Sequence, residues 1–193
     1  DYAAGAVRPG QCVLKLATAG NVNVMTAKAR PHPETLTYSH VVPGLWYTVT
    51  ATNAAAVCQR WFRDSCYGGR GSKAYISMEH DAKKSSPGAN GVFFHPYLMG
   101  ERSPYWDPDL RGSFTGLSMA SGRSDLCRAL LEGVAFSLRD CYRTIEKMGL
   151  HGSATVPLSF EDCAVPVANR LLAEGNGLNV ALGVLNGGRV VVG

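Results

Sequence analysis

The sequence lacks most of the short patterns by which enzymes and metal proteins are commonly recognised. None of its six cysteines forms a C-x-x-C pair, and its five histidines do not have the spacing of metal ligands. The segment Gly69-Arg-Gly-Ser-Lys73 has the wrong spacing for a phosphate-binding P-loop, and Gly116-Leu-Ser-Met-Ala120 ends in alanine where the nucleophile turn of a hydrolase has glycine. We therefore predict reduced, mostly buried thiols and no metal-ligating residues.

Long hydrophobic runs and clusters of one charge are also missing. No apolar stretch is as long as the roughly 20 residues needed to cross a bilayer. The chain opens on an aspartate, and the apolar run after it is too short for a signal peptide. The net charge is +4, but the basic residues are spread along the chain, unlike the basic stripe of a nucleic-acid-binding protein. With 46% hydrophobic and 18% charged residues, the composition is that of a globular domain, which we expect in the cytoplasm, without a membrane or nucleic-acid partner.

The order of the predicted elements favours an α/β layer. Partial alternation on both sides of Ala19-Gly20 predicts two strands joined by a tight hairpin, with Thr18 at or beside the turn. A stripe of apolar residues from Leu126 to Met148 at helical spacing predicts a long core helix, with Ser124 as its N-cap. The predicted strands are 11–18, 21–28, 45–51, 91–98 and 154–159, with a long loop at 100–121, and the predicted helices are 53–66, with Asn53 as N-cap, 72–84, 125–148 and 164–174.

Two places hold groups suited to chemistry. The turn Ala17-Thr-Ala-Gly20 combines a hydroxyl, successive backbone N–H groups and a glycine that lets a ligand approach closely, and such turns can form an anion site for phosphate. Asp1 precedes a stretch of small residues that would let a substrate approach a carboxylate. Taken alone, most such turns bind nothing and a terminal aspartate is usually only solvated, so these residues by themselves leave the function open.

A longer pattern in the middle of the chain carries a family resemblance. The segment that runs from Phe94 to Leu117, Phe-His-Pro-Tyr-Leu-Met-Gly-Glu-Arg-Ser-Pro-Tyr-Trp-Asp-Pro-Asp-Leu-Arg-Gly-Ser-Phe-Thr-Gly-Leu, resembles the F-x-P-Y-L-x-G-E-R-[ST]-P-x-x-[DN]-P-x-x-R-G-x-F-x-G-L signature of the FGGY sugar kinases. The helical segment at 128–140 follows it as in that family. Within the signature segment, the Gly-Glu-Arg-Ser-Pro sequence at 100–104 is more like that of the xylulose kinases and some gluconate kinases than that of the glycerol kinases. The resemblance covers roughly residues 1–150 and fades after Leu150.

This resemblance implies a fold and a reaction. The fold is expected to be α/β, the actin-like ATPase (ribonuclease H-like) architecture, with a mixed sheet and helices on both faces. Residues 1–193 are expected to be the C-terminal, nucleotide-side domain, with the N-terminal sugar-binding domain absent from this chain. The implied reaction transfers the γ-phosphoryl group of ATP to a small-molecule sugar and uses Mg²⁺. The expected sugar is D-xylulose, which would give D-xylulose 5-phosphate. Whether the protein forms a homodimer is left open.

The resemblance also assigns roles to single residues. Asp1 falls on the aspartate of the family's G-D-x-A-A-G-A element, which is the general base for the sugar hydroxyl. Thr18, Ala19 and Gly20 fall on the phosphate-binding hairpin G-T-S-G, in which alanines replace the first glycine and the serine here, so that one donor is lost. Glu101 and Arg102 are interpreted as structural residues that organise the Pro-rich loop through an ion pair, and Glu132 is expected to pair with Arg128.

The tail departs from the family pattern. Phe160-Glu-Asp-Cys-Ala164 stands where the family closes its adenosine pocket with G-G-G-A-[KR]-S. Either the tail has diverged, or the sequence omits internal stretches, which predicts chain breaks near Ser159–Val165 and near Val180. Three alternatives therefore stay open beside a xylulose kinase: a gluconate or other pentulose kinase of the family, a catalytically inactive binding module of this fold, and an unrelated actin-fold ATPase.

Overall fold

A computed structural model describes residues 1–68, 71–150 and 158–159 of the protein. All described residues belong to one compact unit, Asp1–Cys163. None of the described helices is both long and apolar enough to cross a membrane.

A mixed five-stranded sheet forms the centre of this unit. Its strand order is β3-β4-β2-β1-β7, in which β7 is parallel to β1 and the other neighbours are antiparallel. A separate antiparallel pair, β5 and β6, lies in the second half of the unit. The strands are β1 Cys12–Leu16, β2 Gly20–Thr26, β3 Leu36–Ser39, β4 Trp46–Thr52, β5 Phe93–His95, β6 Ser113–Thr115 and β7 Leu158–Ser159.

Two short strands are missing from the sequence prediction. β3 is four residues long, lies at the sheet edge and is half-buried to exposed, so its sequence has little apolar alternation to detect. β6 lies inside the segment predicted as a loop, because its three residues gain strand geometry only by pairing with β5. The predicted strand at 91–98 shortens to β5, which ends before Pro96, as expected of a residue without an N–H donor.

Three helices complete the unit: α1 Ala56–Cys66, α2 Ser72–Lys84 and α3 Arg123–Lys147. The predicted apolar stripe of α3 is confirmed as core, since Leu130, Val134, Leu138, Cys141 and Ile145 are all buried. The Thr50 hydroxyl in β4 donates to the Cys141 carbonyl at 2.9 Å, which ties the helix to the sheet.

Both predicted N-caps are wrong. α3 begins after Gly122, whose amide donates to Asp125 Oδ2 at 2.9 Å. The side-chain contact at the beginning of the helix therefore comes from Asp125 and not from Ser124. α1 begins after Ala55, and its first amides donate to main-chain carbonyls of the β1–β2 turn. The amide of Asn53 donates instead to Glu101 Oε1 at 2.7 Å.

The two faces of the sheet carry different cores. On one face, residues such as Val22 and Val24 pack with the three helices in one large cluster. On the other face, Val13 and Met25 form a small cluster with Ala6 and Leu45, from the N-terminal segment and the segment before β4. This second face also carries the polar residues of the candidate site.

Candidate active site

Asp1 is held against the second face of the sheet. Its carboxylate accepts hydrogen bonds from Asn23 Nδ2 at 2.9 and 3.0 Å, one to each oxygen, and lies 3.5 Å from Lys15 Nζ. Its carbonyl accepts from the amides of Ala4 and Ala6, at 3.0 and 3.2 Å, in the single 3₁₀ turn that follows it. With 9% of the side chain exposed, the carboxylate is largely buried and fixed in orientation.

Polar groups surround this carboxylate along β1 and β2. Asn21 lies directly opposite Lys15 in the strand register, and Asn23 lies two residues further along the same face. The Oδ1 atoms of Asn21 and Asn23 are buried and accept no hydrogen bond from any described residue. Buried acceptors without a donor are rare in folded proteins, because each costs free energy relative to its hydration in water.

Thr18 lies in the turn between β1 and β2, which confirms the predicted hairpin. The Thr18 carbonyl accepts from the amides of Ala55 and Val57 at 2.9 and 3.4 Å, and the Ala17 carbonyl accepts from the amide of Ala56 at 2.9 Å. The turn therefore satisfies donors that the beginning of α1 would otherwise leave unpaired.

Arg60 contacts the hydroxyl of Thr18 in this turn. Its Nη2 donates to Thr18 Oγ1 at 3.3 Å from an exposed position in α1. A guanidinium beside a hydroxyl suits an anionic ligand. Sequence reasoning missed Arg60, because no spacing motif links it to a turn about 40 residues earlier; only the packing of α1 on the hairpin brings the two together.

Gly20 has a packing role that the sequence did not indicate. A Cβ atom at this position would lie 2.7 Å from Leu138 Cδ2 and 3.0 Å from Thr52 Cγ2. Close packing against α3 therefore explains why glycine is needed at this position. The sequence had suggested instead that the glycine leaves room for a ligand.

The ion pair expected between Glu101 and Arg102 is wrong. No salt bridge joins these side chains, both of which lie in the described part of the chain. The buried Glu101 carboxylate instead accepts from Thr52 Oγ1 at 2.6 Å and from the amides of Asn53 and Arg102, both at 2.7 Å. Arg102 Nη2 lies 3.5 Å from the Thr52 carbonyl. These contacts agree with a structural role, in which the Pro-rich loop is anchored to the end of β4.

The predicted residues gather at one end of the sheet. Gly20 is paired with Thr52 in the register, so the loop bearing Glu101 meets the sheet beside the Thr18 turn. Lys15, which contacts Asp1, precedes Thr18 by three residues along the chain. One hairpin therefore contacts the fixed carboxylate of Asp1 and carries the hydroxyl of Thr18 in its turn.

Other reactive groups near this end are unsuited to nucleophilic chemistry. Burial and, to a smaller extent, the negative charge of Glu101 raise the pKa of the Cys58 thiol to about 12. Burial likewise raises the pKa of Cys141 to about 12. Of the five cysteines described, four are buried and Cys66 is exposed, and all are free thiols. The described residues contain no group of His, Cys, Asp or Glu that would hold a metal ion by itself.

Residues 14–182 match the profile of the C-terminal domain of the FGGY family of carbohydrate kinases. The chain belongs to this family. It is 34% identical over 136 residues to a xylulose kinase of Lactococcus lactis, covering 70% of this chain and 26% of that protein. It is 30% identical over 141 residues to a gluconokinase of Bacillus subtilis, covering 69% of this chain and 28% of that protein.

Solved structures of the same family share the fold. The xylulose kinase of Rhodospirillum rubrum aligns with a TM-score of 0.72 at 33% identity, covering 78% of this chain and 30% of that one. A glycerol kinase of Plasmodium falciparum, solved with ADP, aligns with a TM-score of 0.69 at 19% identity, over 82% of this chain and 32% of that one, and supports the fold alone. The expected α/β, actin-like ATPase fold is therefore confirmed. The chain spans about 26–32% of the length of these relatives.

The family match changes the extent of the resemblance at both ends. It continues to residue 182, well beyond Leu150, where the sequence resemblance fades. It begins at residue 14, so Thr18, Ala19 and Gly20 lie inside the match and Asp1 precedes it. The altered adenosine segment Phe160–Ala164 and the predicted breaks near Ser159–Val165 and Val180 lie outside the described residues, apart from the Ser159 backbone.

Proposed function

We propose that this chain is the C-terminal, nucleotide-side domain of an ATP-dependent sugar kinase, whose N-terminal domain supplies most of the sugar site. D-xylulose is the proposed acceptor, giving D-xylulose 5-phosphate, with gluconate or another pentulose as the alternative within the family. The observation that carries the proposal is the fixed carboxylate of Asp1, which contacts Lys15 and Asn23 of the same hairpin that carries the Thr18 turn. Family membership and relatives named xylulose kinase and gluconokinase support it.

The residues divide the reaction between Asp1 and the turn that carries Thr18. The Asp1 carboxylate accepts the proton of the attacking hydroxyl, and its contact with the Asn23 amide fixes the direction in which it accepts. The hydroxyl of Thr18 and the backbone at Ala19 and Gly20 bind phosphate oxygens of ATP, and Arg60 adds positive charge to that turn. Phosphoryl transfer depends mainly on such positioning and charge stabilisation.

Magnesium fits this site as a companion of ATP. Mg²⁺ is commonly held by substrate phosphates, waters and one or two carboxylates, without a dedicated cage of protein ligands. Bound in this way, Mg²⁺ neutralises charge on the phosphates.

The full-length protein that carries this chain is the material for the test. ADP formation is measured with ATP and a panel of ketoses and aldonates, with sugar-free reactions as the control. We expect ADP formation to depend on added sugar. ADP formation without sugar would support an actin-fold ATPase instead. Asp1→Asn should lower kcat by about 10²–10⁴-fold, the usual worth of a general base.

A catalytically inactive binding module is the second candidate. It is favoured by the alanines at positions 17 and 19, where kinases of this family have glycine and serine, since the turn loses a donor. No ADP formation with any sugar, together with binding of a fluorescent ATP analogue, would support this candidate and contradict a kinase.

The isolated chain of residues 1–193 should have no measurable sugar kinase activity. It spans about a third or less of its relatives' length, so the proposed sugar site is incomplete. Turnover of the isolated chain near about 10 per second, a typical enzyme rate, would contradict this expectation.

A further inference from the structure

Lys15 contacts Asp1 from the strand that leads into the Thr18 turn. Its Nζ is 3.5 Å from Asp1 Oδ1, and its place in β1 is three residues before Thr18. Its side chain is 27% exposed, compared with 9% for Asp1, so the ammonium is reachable from solvent while the carboxylate is largely covered.

The Lys15 ammonium has more N–H donors than its contact with Asp1 uses. A lysine carries three N–H donors, and among the described residues Asp1 is the partner of Lys15. Their 3.5 Å separation exceeds the about 2.7–2.9 Å of a strong charge-assisted hydrogen bond, so the pair is loose. A loose ion pair with unused donors stabilises the fold little. Stability alone therefore does not explain why a lysine lies beside Asp1.

Two amide oxygens on the surrounding face lack a hydrogen-bond donor among the described residues. The buried Oδ1 atoms of Asn21, opposite Lys15, and of Asn23, which holds Asp1, have no donor among the described residues. An anionic phosphoryl group would complement the solvent-accessible ammonium of Lys15 beside this carboxylate.

We propose that Lys15 is a further catalytic residue, whose ammonium binds the phosphoryl group during its transfer; this inference rests on the proposed function. The acceptor hydroxyl oxygen forms a bond to the γ-phosphorus, and the bond from that phosphorus to the bridging oxygen breaks with its electron pair leaving on ADP. The hydroxyl proton passes to the Asp1 carboxylate. Lys15 donates hydrogen bonds to the non-bridging oxygens, where charge is concentrated in the transition state, and its own proton count does not change.

Steady-state kinetics of full-length Lys15→Met, Lys15→Gln and Lys15→Arg test this inference, with Lys28→Met as a matched control because Lys28 is an exposed lysine just beyond β2. The acceptor is whichever sugar the wild-type protein phosphorylates. Lys15→Met and Lys15→Gln should each lower kcat by about 10²-fold with little change in the sugar KM, as expected for a contact made in the transition state. Lys15→Arg should recover much of that loss, and Lys28→Met should match the wild type.

The outcomes separate the inference from the proposed function. If the wild-type protein shows no sugar-dependent ADP formation, the proposed function fails. If the wild type is active and Lys15→Met retains its kcat, or raises only the sugar KM, the inference on Lys15 alone is overturned. A merely structural role predicts a lowered melting temperature in Lys15→Met and Lys15→Gln, with kcat of the folded fraction unchanged, and that result would also overturn it.

Discussion

The backbone amide of Ala55 donates a hydrogen bond to the carbonyl oxygen of Thr18 at 2.9 Å, and this contact joins the β-hairpin turn to the beginning of α1. The amide of Ala56 adds a second link to the Ala17 carbonyl. The main chain of the turn is therefore fixed by the helix, whereas the hydroxyl of Thr18 contacts the exposed Arg60. The side chain of Thr18 can be changed without disturbing the position of the turn.

Thr18→Val tests the role of this hydroxyl in binding phosphate. In the full-length protein, we expect kcat/KM for ATP to fall about tenfold or more, because a hydrogen bond to a charged group contributes about 1.5–3 kcal/mol. Thr18→Ser keeps the hydroxyl and should stay close to the wild type. The melting temperature of both variants should be unchanged. Equal losses in the two variants would show that the hydroxyl is not the group that matters.

Gly20→Ala tests close packing between the hairpin and α3. The added methyl would approach Leu138 Cδ2 to 2.7 Å, so we expect a loss of about 1–3 kcal/mol in the free energy of unfolding, as for other overpacked cores. Gly122→Ala is the control, since its Cβ would meet nothing closer than 3.9 Å. Urea unfolding of the single variants and of Gly20→Ala/Leu138→Ala provides the measurement.

The double variant gives the decisive comparison for Gly20. Leu138→Ala removes the side chain with which the new methyl would collide, so the cost of Gly20→Ala should be smaller in that background than in the wild type. Purely additive costs would mean that the contact with Leu138 is not the source of the strain.

The helices show which parts of the fold the sequence predicts. α2 and the apolar stripe of α3 agree with their predictions, because the periodic pattern lies within the helix itself. The beginning of α1 was predicted wrongly, since its first amides are satisfied by carbonyls at positions 17 and 18 and not by the side chain of Asn53. Contacts between distant segments decide such boundaries, and no local pattern records them.

The candidate site shows the same division. Asp1 and Thr18 were chosen by family resemblance, and the hairpin that carries Thr18 is present. Lys15 and Asn23 were not predicted as site residues, because their contacts with Asp1 depend on strand register and on the turn after Asp1. Glu101 was expected to pair with its neighbour in sequence, but burial directs it to donors almost 50 positions away.

Glu101→Ala tests the anchoring of the Pro-rich loop. Removing the carboxylate leaves the Thr52 hydroxyl and the amides of Asn53 and Arg102 without their acceptor. Since each buried unsatisfied group costs about 1–3 kcal/mol, we expect a loss of about 3 kcal/mol or more in the free energy of unfolding. Glu101→Gln keeps one acceptor oxygen and should lose less.

The control for Glu101 is Glu132→Ala. Glu132 pairs with Arg128 at 2.6 Å, as predicted, and accepts from the Gly88 amide, but it is more exposed than Glu101. We expect a loss of about 1 kcal/mol or less for this partly exposed pair. Equal losses measured by urea unfolding for the two alanine variants would contradict a special role for Glu101.

Asp81 should make stability depend on pH in the acid range. This buried residue of α2 accepts a hydrogen bond from the Tyr67 hydroxyl at 2.7 Å and pairs with Lys84 and Arg123 at 2.9 and 3.0 Å. The Tyr67 hydrogen bond first, and then the contacts with the two cations, lower the pKa of Asp81 from 3.8 to about 2. Because the pKa is lower in the folded protein, the ionised carboxylate contributes stability above about pH 4, and that contribution is lost as the pH falls toward 2.

Asp81→Asn removes this titration. The free energy of unfolding of the wild type should exceed that of the variant by a constant amount between about pH 5 and 7, and the difference should shrink between about pH 4 and 2. Urea unfolding of both proteins across this range gives the difference directly. Asp109→Asn, at an exposed loop position, should give a difference near zero at every pH. A difference for Asp81→Asn that stays constant down to pH 2, or that grows in acid, would mean that the lowered pKa of this carboxyl does not contribute to the stability of the junction between α2 and α3.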